Sequence, residues 1–128
     1  MRVLLDTHAL LWWWTDDPQL SGPARACLLD ADNVVLVSAA SAWEIATKFR
    51  LGKLSEAGEA IERFNELVAA DGFTHLAVTY LHSLKAGAYP VPHRDPFDRV
   101  LAAQSELESA QLITRDPVFE QFGIQTLW

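Results

Sequence analysis

The stretch RVLLDTHALLWWW, residues 2–14, joins a strand to a helix without an intervening linker. Residues 2–5 form a short apolar run, which predicts a buried strand. The run ends at Asp6, and residues 7–14 can continue from it as a helix. A carboxylate that directly follows a buried strand has few routine structural uses. Asp6 is therefore the first candidate for a functional side chain.

The same alternation of strand and helix recurs along the whole chain. Further short apolar strands are predicted at residues 33–38, 73–78, 111–114 and 124–128. Helices are predicted over residues 21–31, 39–52, 55–72, 79–88 and 96–109, with a short helix or turn at 116–123. Short strands that are apolar on both faces and alternate with helices are typical of a parallel sheet covered on each side. We therefore expect an α/β fold and a single domain spanning residues 1–128.

Two of the predicted helices carry detailed expectations. The segment 55–72 shows the clearest helical stripe, with Ser55 as its N-cap and Gly72 just beyond its end. In the segment 96–109, Asp95 is placed to cap the helix and Pro96 to be its first residue. The side chains expected to point inward from that helix are Phe97, Val100, Leu101 and Leu107.

The length, composition and net charge of the chain limit the class of protein to which it can belong. A chain of 128 residues, half of them hydrophobic, is the size of one ordinary domain with a real core. The single Cys27 excludes a disulfide framework and indicates a reduced, cytoplasmic setting. No run approaches the ~20 apolar residues of a membrane span. A net charge of −7 argues against a protein that coats nucleic acid with a broad basic face, but not against an enzyme with clustered acids.

Four acids follow the predicted strands or begin the helices after them: Asp6, Glu44, Asp98 and Asp116. In a parallel sheet these junctions lie at the carboxyl edge, where open α/β folds build their sites. Carboxylates gathered there repel one another, and Mg²⁺ or Mn²⁺, which prefer oxygen ligands, would offset the repulsion. Such pockets serve phosphoryl transfer, because the metal lowers the pKa of a bound water and neutralises charge on the phosphate.

Each acid also has a purely structural interpretation. Glu44 with Ser41 fits a capping box, and it could equally pair with Lys48 one turn later. Asp116 is a good N-cap, and Asp98 could simply complement a helix dipole. The convergence of four acids on one edge favours the metal site over these separate explanations.

Four segments, in order and spread over nearly the whole chain, resemble the PIN-domain ribonucleases. They are LLDTHALLWW, SAASAWEIATKFRLGKL, HRDPFDRVLAAQ and LITRD. Within that family, the resemblance is strongest to the toxins of VapBC-type toxin–antitoxin modules. It implies a three-layer α/β/α sandwich with a mainly parallel sheet. It also implies Mg²⁺- or Mn²⁺-dependent cleavage of RNA and inhibition by a cognate antitoxin protein.

The resemblance carries the family's acids onto matching positions of this chain: Asp6 in LLDTH, Glu44 in AWEIA, Asp98 in PFDRVLAAQ and Asp116 in TRD. These four are the expected metal ligands and catalytic residues. Thr114 matches the family's small hydroxyl residue, which would orient an acid or a water. Asp95 is then left as the N-cap of the helix that carries Asp98. The chain departs from the pattern only in a third consecutive tryptophan and an acidic overall balance.

Basic residues near these acids are candidates for contact with RNA: Lys48, Arg50 and Lys53 in one run, and His93, Arg94 and Arg99 around Asp98. Phosphate contact is expected of Arg94 or Arg99. The alternative is ordinary pairing one helical turn apart, of Arg99 with Asp95 and of Lys48 with Glu44. His93 on its own is interpreted as a surface histidine.

Three consecutive tryptophans, Trp12 to Trp14, cannot all face one core, because successive helical residues point ~100° apart. At least one should be partly exposed, and Trp14, in the last turn, is expected to reach outward. An exposed aromatic cluster indicates an interface with a second copy or with an antitoxin segment. Trp43 is expected to pack beside the helix that carries Glu44.

Two other functions stay open at this point. A flavodoxin-like phosphoacceptor or phosphatase domain also gathers acids at a sheet edge. A receiver would need paired early acids and a late lysine, whereas this chain has Asp6 alone and no lysine after Lys85. A non-catalytic PIN-like binding module would be expected to lack one or more of the acids. The sequence does not specify the RNA target, the number of metal ions or the antitoxin.

Overall fold

Five strands lie in a single sheet in which every neighbouring pair is parallel. The computed structural model describes residues 1–128. In chain order the strands are β1 (Arg2–Leu5), β2 (Val34–Ser38), β3 (Thr74–Leu76), β4 (Gln111–Ile113) and β5 (Thr126–Leu127). Their spatial order is β3-β2-β1-β4-β5, which places β1 at the centre. This order differs from the 2-1-3-4-5 order of flavodoxin-like domains.

Seven α-helices and two 3₁₀ segments surround the sheet. The helices are α1 (Thr7–Trp14), α2 (Gly22–Leu29), α3 (Ala39–Arg50), α4 (Gly58–Glu62), α5 (Phe64–Ala70), α6 (Tyr80–Ala88) and α7 (Pro96–Leu107). The 3₁₀ segments are Ser55–Ala57 and Pro117–Phe122. No helix is both long and apolar enough to cross a membrane.

The central strand explains the three layers. Val3 and Leu5 of β1 belong to a core cluster shared with helices α1 to α5, whereas Leu4 belongs to a second cluster shared with α7 and the 3₁₀ segment at 117–122. All three side chains are almost completely buried. Because both faces of the strand are covered, its sequence is apolar without alternation. The predicted α/β/α sandwich with a parallel sheet is confirmed.

The predicted single helix over 55–72 is wrong. The segment is divided into a 3₁₀ turn, α4 and α5, and Arg63 between the helices has φ −112° and ψ 21°. Ser55 makes no capping hydrogen bond. Ala60 of α4 and Val68 of α5 both enter the larger core cluster, so tertiary packing holds the short pieces in place where local propensity favours one helix. The predicted end at Gly72 is confirmed by its φ of +71°.

One inward residue of α7 was assigned wrongly. Leu107 is 43% exposed, whereas Leu101 is buried together with its neighbours Ala102 to Ser105. Six helical steps of ~100° place Leu107 about 120° around the axis from Leu101, off the buried face. Phe97 and Val100 are half-buried.

The tryptophans of α1 pack against the protein itself. All three are half-buried, and the indole N–H groups of Trp13 and Trp14 donate to the same Oδ2 of Asp71, at 3.0 and 2.9 Å. The Trp14 ring also meets Phe64 edge-on at 5.2 Å between centroids. Trp14 therefore does not reach outward as expected, because Asp71 and Phe64 hold it in a cluster beside α5.

Large exposed apolar side chains lie elsewhere on the surface. Trp43 meets Phe97 edge-on at 4.7 Å but stays 61% exposed, so it covers the start of α7 only in part. On α6, the exposed side chains are Tyr80, Leu81 and Leu84.

The start of α7 is set by Asp95, as predicted. Its Oδ1 accepts hydrogen bonds from the backbone N–H groups of Phe97 and Asp98, at 2.9 and 3.1 Å, and Pro96 is the first helical residue. Because this cap sets the first turn of α7, it also sets the direction in which the Asp98 side chain points from the helix.

We expect Asp95→Ala to lower the free energy of unfolding by about 1 kcal/mol, because the helix loses its N-cap. Asp95→Asn should change it by only a few tenths of a kcal/mol, since asparagine caps about as well as aspartate. Urea denaturation followed by circular dichroism measures both. Equal losses in the two variants would show that the charge of Asp95, and not the cap, stabilises α7.

Candidate functional site

A cavity of about 520 Å³ opens at the carboxyl edge of the sheet, beside the point where β1 and β4 are neighbours. Twelve residues line it: Asp6, Thr7, His8, Trp12, Glu44, Lys48, Asp95, Asp98, Arg115, Asp116, Pro117 and Phe119. The structure thus brings all four predicted acids together and adds Asp95. In strand order 3-2-1-4-5, connections leave β1 and β4 toward opposite sides, and the crevice between them is where open α/β folds bind ligands.

Asp6 is held rigidly at the end of the central strand. Its Oδ1 accepts a hydrogen bond of 2.7 Å from the N–H of Ala9, so that Asp6 is the N-cap of α1. The side chain is only 7% exposed, and burial raises the pKa of its carboxyl, against the opposing effect of a hydrogen bond to Thr114. The expectation that this acid lacks a routine structural use is wrong, since capping is such a use.

Glu44 lies in the second turn of α3, because the helix already begins after the N-cap Ser38. The predicted capping box with Ser41 is therefore wrong, and the Ser41 hydroxyl instead meets the Thr7 hydroxyl at 3.0 Å. The predicted pair with Lys48 is present, with Lys48 Nζ against Glu44 Oε2. The Glu44 side chain reaches the cavity while staying only 3% exposed.

Asp98 is the third residue of α7 and has a partner that the sequence did not reveal. Its Oδ2 lies 2.8 Å from Nε2 of His93, which was interpreted as a lone surface histidine. Burial raises the pKa of the Asp98 carboxyl to about 6, against the lowering effect of His93 and with a further rise from the nearby charges of Asp95 and Glu44.

Thr114 links two of the acids. Its buried hydroxyl accepts a hydrogen bond of 3.1 Å from the N–H of Asp116 and also bonds to the Asp6 carboxylate. Asp116 is exposed, and its Oδ1 accepts from the N–H of Val118 at 3.0 Å, which caps the 3₁₀ segment. The threonine thus sets the spacing between the ends of β1 and β4.

Two cations, Lys48 and Arg115, line the cavity beside its five carboxylates, and sequence reasoning named Lys48 but missed Arg115. Lys48 loses hydration there, which lowers its pKa, but the bond to Glu44 and the charges of Asp95 and Asp98 outweigh that loss and raise it. Arg115 lies next to Asp116, and its guanidinium stands 4.5 Å from the ring centre of Trp12. Its place between two site residues in TRD is the signal that could have indicated it.

Arg99 has a different role from the one expected. Its guanidinium donates to five backbone carbonyl groups, those of Ala86, Gly87, Tyr89, Val91 and His93. It therefore neither pairs with Asp95 nor has its donors free for a phosphate. Instead it fastens the connection between α6 and α7, including the backbone of His93. Arg94 is exposed and does not line the cavity.

The donor chemistry of the cavity fits a hard divalent cation. One carboxylate oxygen each of Glu44, Asp98 and Asp116 accepts no hydrogen bond from the chain. As the side chains stand, no group of three or more His, Cys, Asp or Glu residues is arranged to hold a metal ion. Glu44 and Asp98 are directed instead toward Lys48 and His93.

Comparison with known proteins yields a family match and related folds. The PIN domain family profile matches residues 3–125. Ribonuclease VapC16 from Mycobacterium tuberculosis (strain ATCC 25618 / H37Rv) is 37% identical over 70 residues, which are 52% of this chain and 50% of that protein. The chain thus matches about half the length of this curated relative.

Two solved structures share the fold. VapBC2 from Rickettsia felis, bound to a DNA fragment from its promoter, superposes with a TM-score of 0.72 at 14% identity, covering 100% of this chain and 98% of that one. FitAB bound to the IR36 DNA fragment gives 0.63 at 21% identity, covering 99% and 94%. At identities this low, the two superpositions establish a common architecture alone.

The raised pKa of Asp98 predicts a specific pH dependence of the metal-free protein. With a folded pKa of about 6 against 3.8 for an ordinary aspartate, protonation of Asp98 favours the folded state. That contribution is fully present below the unfolded pKa and is lost as the pH rises through about 6. In EDTA, Asp98→Asn should therefore gain stability relative to the parent between about pH 4 and pH 8, by up to roughly 3 kcal/mol. Urea denaturation at several pH values measures this difference, and a constant difference would contradict the assignment.

Arg99→Gln should lower the free energy of unfolding by about 1.5–3 kcal/mol, because charged hydrogen bonds to backbone carbonyls are lost. It should also speed amide hydrogen exchange in residues 86–93. Arg94→Gln is the matched control, since it removes the same charge from an exposed neighbour and should have little effect on either measurement. Similar losses in both variants would refute the structural role of Arg99.

Proposed function

This chain belongs to the PIN domain family, and on that premise we propose that it is a metal-dependent endoribonuclease acting as the toxin of a toxin–antitoxin module. The observation that carries the proposal is the convergence of Asp6, Glu44, Asp98 and Asp116 on one cavity at the carboxyl edge of the sheet. The relative named Ribonuclease VapC16 supports the substrate class, since it is 37% identical over the matched half.

We assign the four acids as the groups that would hold Mg²⁺ or Mn²⁺. The bound ion would supply charge neutralisation for an RNA phosphate and a lowered pKa for a water molecule. Asp6 is suited to a fixed ligand position, because Ala9 and Thr114 restrain its carboxylate. Asp116 is the most exposed of the four and lies where RNA would enter.

Glu44 is the acid best placed to handle a proton. Its Oε2 is paired with Lys48, whereas Oε1 accepts no hydrogen bond and is free to take a proton from an attacking water. The bond from Lys48 orients the carboxylate. Thr114 maintains the relative positions of Asp6 and Asp116, as the family resemblance implies for a small hydroxyl residue.

The partners we propose are an RNA substrate, a cognate antitoxin protein and a second copy of this chain. The antitoxin follows from the resemblance to VapBC-type toxins, and the two solved structures that share the fold, VapBC2 and FitAB, are each bound to a DNA fragment. The exposed side chains of Tyr80, Leu81 and Leu84 on α6 offer a surface for protein contact, and they replace the Trp12 to Trp14 run in that role. RNA cleavage and a single reduced cysteine agree with a cytoplasmic location.

A non-catalytic PIN-like binding module is the second candidate. It is favoured by the internal contacts of Glu44 with Lys48 and of Asp98 with His93, which already occupy one oxygen of each acid. The phosphoacceptor alternative is disfavoured by the sheet order, which is not that of a flavodoxin-like domain.

We expect the protein to degrade total RNA in the presence of Mg²⁺ or Mn²⁺ and to stop when EDTA is added. Asp6→Asn, Glu44→Gln and Asp98→Asn should each lower the rate at least about 100-fold, the range of a lost acid–base or metal-binding group. Asp95→Asn, which keeps the cap of α7, should retain most of the activity. Gel analysis of labelled RNA measures the rates, and circular dichroism establishes that each variant is folded.

Calorimetric titration with Mn²⁺ provides a readout that is independent of cleavage. The three acid variants should bind Mn²⁺ more weakly than the parent, and Asp95→Asn should not. A parent protein that binds Mn²⁺ and RNA without cleaving it would establish the binding module instead. Loss of cleavage in a folded Asp95→Asn would show that Asp95 and Asp98 have been assigned the wrong way round.

A further inference from the structure

The cavity contains one guanidinium without an acidic partner. Arg115 lines the cavity and is exposed, yet none of the five carboxylates there lies within ion-pair distance of it. Lys48, the other cation, is already paired with Glu44. An unpaired arginine beside so many acids is available to an anion from outside the protein.

Arg115 is nevertheless held in place. Its guanidinium carbon stands 4.5 Å from the ring centre of Trp12, and one Nη2 bond of 3.2 Å reaches Oε1 of Gln19. Trp12 is itself supported edge-on by Trp128 at 5.8 Å. A guanidinium has five N–H donors, and only one of them is used here. Stacking on the ring fixes the plane of the group while leaving its remaining edge free.

The charge of the cavity explains why such a residue is needed. A strand of RNA carries a phosphate at every nucleotide, whereas five of the twelve residues that line the cavity carry carboxylates. A metal ion would offset the repulsion at the phosphate that reacts, but the neighbouring phosphates must also approach. Arg99 is occupied by backbone carbonyls, and Arg94 lies outside the cavity. Arg115 is therefore the cation on the cavity wall that no carboxylate of the chain pairs with.

We propose that Arg115, stacked on Trp12, binds an RNA phosphate that flanks the cleaved one and thereby positions the strand across the acids. The inference rests on the proposed ribonuclease function and adds to it a residue outside the acidic set. The planar fork of arginine matches two phosphate oxygens at once, which lysine cannot do. Arg115 is thus a positioning residue that touches substrate away from the reacting atoms.

The test compares RNA binding by variants in the Asp98→Asn background, which is expected not to cleave. Fluorescence anisotropy with a short labelled single-stranded RNA, in Mg²⁺ and over a range of KCl concentrations, yields the affinity and its salt dependence. Arg115→Gln should weaken binding about tenfold or more, as for a lost charged hydrogen bond. It should also reduce the slope of log K against log salt by about 0.7, the value for one phosphate contact with a single strand.

Two matched variants distinguish the bidentate geometry of the Arg115 guanidinium from its positive charge. Arg115→Lys should keep the salt slope but weaken binding severalfold, because it retains a charge without the bidentate geometry. Arg94→Gln removes the same charge from an exposed site off the cavity and should leave both quantities nearly unchanged. In the active parent, Arg115→Gln should raise KM for RNA far more than it lowers kcat.

The outcomes are distinguishable. If the parent cleaves RNA and Arg115→Gln changes neither affinity, slope nor KM, the inference is overturned while the ribonuclease function stands. If Arg94→Gln and Arg115→Gln weaken RNA binding equally, the effect comes from net charge alone, and the inference about Arg115 is also overturned. If Arg115→Gln loses Mn²⁺ binding, Arg115 is needed to position the acidic side chains, and a role in binding phosphate is refuted. A parent that neither binds nor cleaves RNA would refute both proposals.

Discussion

The buried carboxylate of Asp6 is the constraint around which the site is built. It ends a central strand that is covered on both faces, where an ionised group without hydrogen bonds would cost several kcal/mol. The N–H of Ala9 and the hydroxyl of Thr114 satisfy it, and the Asp6 N–H donates to the Ile113 carbonyl at 3.1 Å. The same bonds begin α1 and join the ends of β1 and β4. The requirement to satisfy one acid therefore also fixes the floor of the cavity.

Charge compensation by the chain's own groups makes the cavity stable before any ligand binds. Glu44 is paired with Lys48, and Asp98 with His93, while backbone N–H groups serve Asp6 and Asp116. These contacts orient Glu44 toward Lys48 and Asp98 toward His93. One oxygen each of Glu44, Asp98 and Asp116 accepts no hydrogen bond, which suits the proposed role of these acids as metal ligands.

The three arginines near the cavity show how identical side chains divide between structure and function. Arg99 turns inward and holds the backbone of the loop before α7. Arg115 stands at the cavity with most of its donors free, supported by the ring of Trp12, and Arg94 projects into solvent. The tryptophan run, which looked like an interface, supplies that support at Trp12 and joins Asp71 at Trp13 and Trp14. All three tryptophans are nevertheless partly exposed, as the ~100° spacing of successive helical residues predicts for at least one of them.

The sequence by itself determined the layered α/β fold, because strands apolar on both faces and separated by helices have few other arrangements. It also indicated the cap Asp95 and the acids at strand ends, since a parallel sheet gathers those ends at one edge. Only the tertiary structure decided the break of the helix at Arg63, the second-turn position of Glu44, and the partners His93 and Arg115. These depend on side-chain directions, on tertiary packing or on the exact start of a helix, which the apolar pattern of a segment does not specify. The periodicity of a segment says which face is apolar, whereas which neighbour meets a given polar atom is settled by how the layers pack.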